Sequence, residues 1–137
     1  MSELNDTEVG ALREALDDEY LAWTTYEQVI RDFGAVRPFI NIVEAEQRHI
    51  AALTMLFARY GVAQPSNPWP GKVSRYASVR EACEAGVLAE IGNAKLYERL
   101  LASTARQDIL TVFRNLRDAS QERHLPAFQR CAERSAR

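Results

Sequence analysis

The chain has 137 residues, 47% of them hydrophobic and 26% charged, with a formal net charge of −2. That is enough for one domain, taken here as residues 1–137, with a core of ordinary size. Interspersed charge leaves no basic stripe for nucleic acid, no apolar run reaches the ~18 residues of a membrane span, and the acidic start MSELNDTEV is unlike a secretory leader, which points to the cytoplasm.

Four stretches carry apolar residues at helical spacing. The first is predicted over about 7–33, with a stripe through Leu12, Leu16, Glu19, Trp23, Tyr26, Ile30 and Phe33. Gly34 can end it and Pro38 can open the next. The second covers about 38–60, with Phe39, Ile42, Glu46, His49, Leu53, Leu56 and Tyr60 on one face. A segment over 61–77 follows, holding Pro65, Pro68, Pro70 and Gly71. The third helix is predicted over about 78–102, opened by Ser78 and Glu81 at capping-box spacing. Its stripe runs through Val79, Cys83, Gly86, Glu90, Asn93, Tyr97 and Leu100. Thr104 and Gln107 repeat the capping spacing ahead of a fourth helix over about 105–131. That helix has a looser stripe: Leu110, Phe113, Leu116, Ser120 or Gln121, His124, Phe128 and Cys131. Pro126 lies inside it and is expected to bend it just after His124.

Short loops join the first helix to the second and the third to the fourth, so each pair should be an antiparallel hairpin. The segment 61–77 is long enough to run the length of a bundle. The expected fold class is all-α: a four-helix bundle of two antiparallel hairpins joined by a long crossover, the ferritin-like connection.

Polar residues interrupt these stripes where core residues belong. Glu19, Glu46, His49, Glu90 and His124 all do so, and a carboxylate on a buried stripe costs several kcal/mol unless it is compensated. Glu46 and His49 lie one helical turn apart on one face. The second hairpin echoes the first: Glu19 precedes the Glu46/His49 pair, and Glu90 precedes the Gln121/His124 pair. In the second hairpin the counted turns put all three in one layer; in the first they leave an offset of roughly one turn. A Glu from each of two helices and Glu-x-x-His from each of the other two is the ligand pattern of ferritin-like di-iron and di-manganese carboxylate proteins. Carboxylates can bridge two divalent ions while each imidazole supplies one nitrogen, a mixture that suits iron or manganese.

The strings Asp18-Glu19-Tyr20-Leu21-Ala22, Glu46-Gln47-Arg48-His49 and His124-Leu125-Pro126-Ala127-Phe128 resemble an uncharacterised prokaryotic branch of the ferritin-like superfamily, a domain of unknown function. The resemblance runs from about Asn5 to Cys131. It implies the four-helix fold and a ferritin-type metal centre, with no agreed substrate. One departure stands out: Gln121 replaces the second Glu of the pattern. An amide ligates hard cations weakly, so Gln121 is expected to be a weak ligand and its metal position half-occupied or empty. Glu122 lies about 100° round the helix from it and should be solvated.

The expected centre therefore takes one or two ions of iron or manganese on Glu19, Glu46, His49, Glu90 and His124, with Gln121 weak. Oxidase, ferroxidase or peroxide chemistry would follow, with dioxygen or peroxide as partner and a homodimer compatible with so small a bundle. The alternative is a metal-free helical bundle acting through protein contacts; a hydroxylase of a small organic substrate would further need an apolar channel to the site. Trp23, Tyr20, Tyr26 and Tyr97 are read as packing aromatics, with a redox-active role beside the metal as the alternative. Cys83 and Cys131 should share a layer about 10 Å from the ligands and are read as inert buried thiols, with a redox-sensing disulfide as the alternative.

Overall fold

A computed structural model describes residues 3–135. Helix α1 (Asp6–Phe33) begins at a capping box, in which the Asn5 side chain accepts from the Glu8 amide and Glu8 accepts from the Asn5 amide. It ends at Gly34, whose φ of 87° suits a residue without Cβ. Helix α2 (Phe39–Arg59) follows a four-residue turn and Pro38. Helix α3 (Val79–Leu100) starts at Ser78, whose hydroxyl accepts from the Glu81 amide.

The fourth rod is compound. Helix α4 (Gln107–Ala119) passes into a π-helical turn (Ser120–His124) and then into α5 (Leu125–Ser135). Pro126 explains the change. It has no amide to give the carbonyl of residue 122, and its ring would press on that carbonyl in a regular α-turn. Widening the turn relieves the clash, and the Leu125 amide bonds the Ser120 carbonyl instead. Where a bend was expected just after His124, the structure has a widened turn that ends at His124. At the start of α4, Thr104 does not cap with Gln107; its hydroxyl binds Glu8 and accepts from the Arg106 amide.

The crossover lies along α1. Tyr20 donates to the Pro65 carbonyl at 3.2 Å, Asn67 to Thr24 at 2.9 Å, and Trp69 to Asp17 at 3.1 Å. No strand occurs among the described residues, and none of their helices is long and apolar enough to cross a membrane.

The core is divided in two. One cluster gathers Leu12, Leu16, Leu53, Phe57, Tyr97 and Phe113; the other gathers Tyr26, Phe39, Ile42, Cys83, Phe128 and Cys131. Each fully buried large side chain contributes about 1.5–3 kcal/mol relative to exposure. On every rod one polar position falls between the two clusters: Glu19, Glu46, Glu90 and His124.

Cys83 and Cys131 do share a layer, but they are not free thiols. They form a disulfide joining α3 to α5, with Cα atoms 6.0 Å apart. One turn inward Gly86 faces Phe128, where a Cβ would lie 2.7 Å from the ring. One turn further stand Glu90 and His124. The absent side chain at position 86 lets α3 and α5 approach closely right beside the polar layer.

Candidate metal centre

All four rods deliver side chains to one layer that could hold a metal ion. Glu19 comes from α1, Glu46 and His49 from α2, Glu90 from α3 and His124 from the end of the π-turn. They form two groups, Glu19/Glu46/His49 and Glu46/Glu90/His124, each with one ligand atom per residue within 4.8 Å of the others. Glu46 belongs to both. Its Oε2 lies 3.4 Å from His49 Nδ1 and its Oε1 3.1 Å from His124 Nδ1. His49 Nδ1 is 3.6 Å from Glu19 Oε2, and His124 Nδ1 is 3.2 Å from Glu90 Oε1. The two imidazoles stack with centroids 5.4 Å apart.

Burial is nearly complete: Glu19 is 1% exposed, Glu46 2%, Glu90 3% and His124 4%. The electrostatics follow from that burial. Glu19 is driven up to about 8, chiefly by desolvation and then by the Glu46 carboxylate. Burial also works to raise Glu46, but the polar groups of Glu19, His124 and His49 beside it outweigh burial and hold it below its ordinary value. For the imidazoles burial works downward and the carboxylates win, lifting His49 to about 10 and His124 to about 9. Protonated imidazoles thus take the place that cations would fill.

They fill it incompletely. Glu19 Oε2, Glu46 Oε2 and His49 Nδ1 are buried without a hydrogen-bond partner. Such orphans cost about 1–3 kcal/mol each, and more when charged. All three are ligand atoms of the first group, and they face one another. Two carboxylate oxygens and an imidazole nitrogen converging on one point fit a divalent cation.

A second ring of side chains orients the first. Tyr97 donates to Glu19 Oε1 at 2.7 Å and Tyr26 donates to Glu90 Oε2 at 2.5 Å. Each of these glutamates has one oxygen tied to a phenol and the other turned inward. Tyr26 follows Glu19 by seven residues and Tyr97 follows Glu90 by seven, so each helix carries one ligand and the clamp for the other helix's ligand. Both phenols are pushed well above their ordinary range by burial and by the carboxylate they serve. Asn93 Nδ2 sits 2.6 Å from Asp18 Oδ2, and burial raises Asp18 to about 6.

No family model matches the chain, and no curated protein matches it. Among solved structures, it superposes on the crystal structure of a ferritin-like, diiron-carboxylate protein from Bacillus anthracis str. Ames. The TM-score is 0.74 over 94% of this chain and 99% of that one, at 21% identity. The fold is ferritin-like.

Within this ferritin-like bundle, one expected ligand is misplaced. Gln121 is exposed and does not join the layer; Ser120 is buried there instead. The π-turn is the reason. Bonding i to i+5 takes an extra residue per turn, so the residue stacked above His124 is four positions back, not three. Ser120 donates to Glu90 Oε1 at 2.8 Å and lies 3.0 Å from the Glu90 carbonyl. Glu122 is exposed, as expected. The second group therefore has three ligand side chains and a hydroxyl, and its polar atoms are already partnered.

Two cavities reach this layer. One, of about 480 Å³, lies between α1, α3 and the crossover; it is lined largely by apolar and small side chains and reaches Glu90 and Tyr26. The other, of about 760 Å³, lies between α2 and the fourth rod and reaches both histidines.

Proposed function

We propose that the protein binds iron or manganese at this layer, as a redox protein acting on dioxygen or peroxide. The observation that carries the reading is the convergence of three orphaned buried ligand atoms on Glu19, Glu46 and His49. The diiron-carboxylate character of the structural neighbour supports it. In a metal-free interaction module those atoms would be held only by long imidazolium–carboxylate contacts of 3.4 and 3.6 Å, with no hydrogen bond among them.

Glu19, Glu46 and His49 would hold the first ion. Glu46, Glu90 and His124 would hold a second, more weakly, because Ser120 stands where the ferritin pattern has a fourth carboxylate. A bound iron or manganese ion would supply one-electron redox chemistry at these positions. The chain's own part is orientation and shielding. Tyr97 and Tyr26 hold one oxygen of Glu19 and of Glu90, leaving the other aimed inward, which fixes the geometry before any ion arrives. The two apolar clusters flank the layer along the bundle, leaving the two cavities as the routes by which water and small molecules reach it.

The apolar cavity favours one variant of this reading, oxidation of a small organic molecule. Its size falls within the ~300–1,000 Å³ of small-molecule sites, and its inner end is a ligand side chain. Metal analysis tests the common core of both. After reconstitution with Fe(II) or Mn(II) and desalting, the parent protein should retain one to two equivalents, and Glu46→Ala should retain almost none. A parent protein that retains no metal would refute the proposal.

A further inference from the structure

The cavity on the histidine side has an unusual charge. Its lining carries Arg37, Arg48, Arg123, Arg130 and Arg134 together with His49 and His124. Among the described residues, none of these five arginines makes a hydrogen bond or an ion pair. Elsewhere most arginines find carboxylates, among them Arg31 with Glu27, Arg59 with Asp108, Arg75 with Asp32 and Arg99 with Glu14, while Arg13 and Arg114 stand singly without one among the described residues. Two acidic groups line the cleft, Asp118 and Glu122, and Asp118 is engaged by Arg117 at 3.2 Å. A chain of net charge −2 thus concentrates unpaired guanidinium groups around one concave opening.

All five guanidinium groups are exposed, and their fields add at the concave opening, which favours an anion there most at low ionic strength. Guanidinium forks match carboxylate and phosphate oxygens in a bidentate way, which an ammonium cannot do. The arginines come from separate elements: the turn before α2, α2 itself, the π-turn and α5. Arg37 and Arg48 stand on the α2 side of the opening, and Arg123, Arg130 and Arg134 on the side of the fourth rod. Its volume of about 760 Å³ suits a small molecule rather than a polymer.

We infer that this cleft is a binding site for a small polyanion, bearing two or more carboxylate or phosphate groups, seated against the edges of His49 and His124. A ligand there covers the histidine side of the layer, opposite the apolar cavity. The inference extends the metal reading but does not need a bound ion. Its test is therefore run on the full chain with no metal added, so that a failed metal titration and a failed anion titration remain separate results.

The experiment is calorimetric titration at low ionic strength with citrate, pyrophosphate and acetate, with the imidazole NMR signals followed in parallel. Citrate or pyrophosphate should bind one per chain, at least tenfold more tightly than acetate, and the stronger of the two identifies a carboxylate or a phosphate ligand. Arg123→Glu and Arg48→Glu should each weaken that binding at least tenfold. Arg13→Glu makes the same charge change at an exposed α1 position outside the cleft and should stay within twofold of the parent. The His49 and His124 signals should move during the titration. The inference is overturned if neither polyanion saturates, if Arg13→Glu weakens binding as much as Arg48→Glu, or if the histidine signals stay still. Arg48 lies on α2, away from the π-turn, so that variant remains informative if Arg123→Glu misfolds.

Discussion

Loading the layer with Mn(II) must expel protons, and the groups holding them set the number. Glu19 titrates near 8 and His49 near 10, so both carry a proton at pH 7 in the metal-free protein. An ion on Glu19, Glu46 and His49 requires both to be bare. The sign is then fixed: protons compete with metal, and affinity rises with pH. With about two protons displaced, the apparent affinity should climb roughly hundredfold per pH unit between pH 6 and 7.5, about tenfold for each proton. The rise should slacken once pH passes about 8, where Glu19 loses its proton unaided, and stop above about 10. If the second position also fills, His124, which titrates near 9, adds a third proton. Calorimetry in two buffers of different ionisation enthalpy counts the protons directly. Glu19→Gln should lower the count by one. Release of fewer than one proton, or an affinity flat between pH 6 and 7.5, would refute the assigned ligands.

Three substitutions probe the frame around the layer. Gln121→Glu should leave metal stoichiometry unchanged, because position 121 faces solvent; a gain of one equivalent by metal analysis would contradict the π-turn register. Cys83→Ser opens a cross-link spanning 48 residues, which chain entropy values at about 4 kcal/mol. Thermal unfolding should fall by roughly 10–15 °C, and a shift under about 3 °C would count against the bond. Gly86→Ala drives a methyl into the Phe128 ring and should cost about 1–3 kcal/mol in denaturant unfolding, less up to about 1 regained in helix propensity. A more stable Gly86→Ala would mean that the helices are not held so close.

Much of the architecture is legible in the residues because it rests on periodicity. Apolar stripes, Gly34, Ser78 and the length of the proline-rich crossover suffice for two hairpins and their connection. The interrupting residues Glu19, Glu46, Glu90 and His124 are readable for the same reason, since a carboxylate or imidazole on a core stripe needs a cause. The roughly one-turn offset counted for the first hairpin did not keep Glu19 from Glu46 and His49; long side chains and the turn before Phe39 bring them together.

Local geometry is harder to read. Pro126 signals a disturbance, but whether a helix kinks, breaks or widens depends on what packs against it. The widening decides between Ser120 and Gln121. Tyr26 and Tyr97 look like packing aromatics because their stripe positions are apolar; their role appears only when the opposing glutamate is seen at the phenol tip. The repeated Glu-to-Tyr spacing on α1 and α3 is the signal that was available. The cysteine pair shares a layer by counting alone, yet bonding depends on the close approach that Gly86 permits. The unpaired arginines carry no sequence signature, because pairing is a property of neighbours in space.

On the proposed reading a cation sits among Glu19, Glu46 and His49, with Glu46 shared toward His124. An anomalous-difference map from crystals grown with Mn(II) tests it most directly. A peak bounded by those three side chains is the expected result, with any second, weaker peak between Glu46, Glu90 and His124. A map with no peak in this layer, or with manganese only at surface carboxylates such as Glu122, would contradict the account.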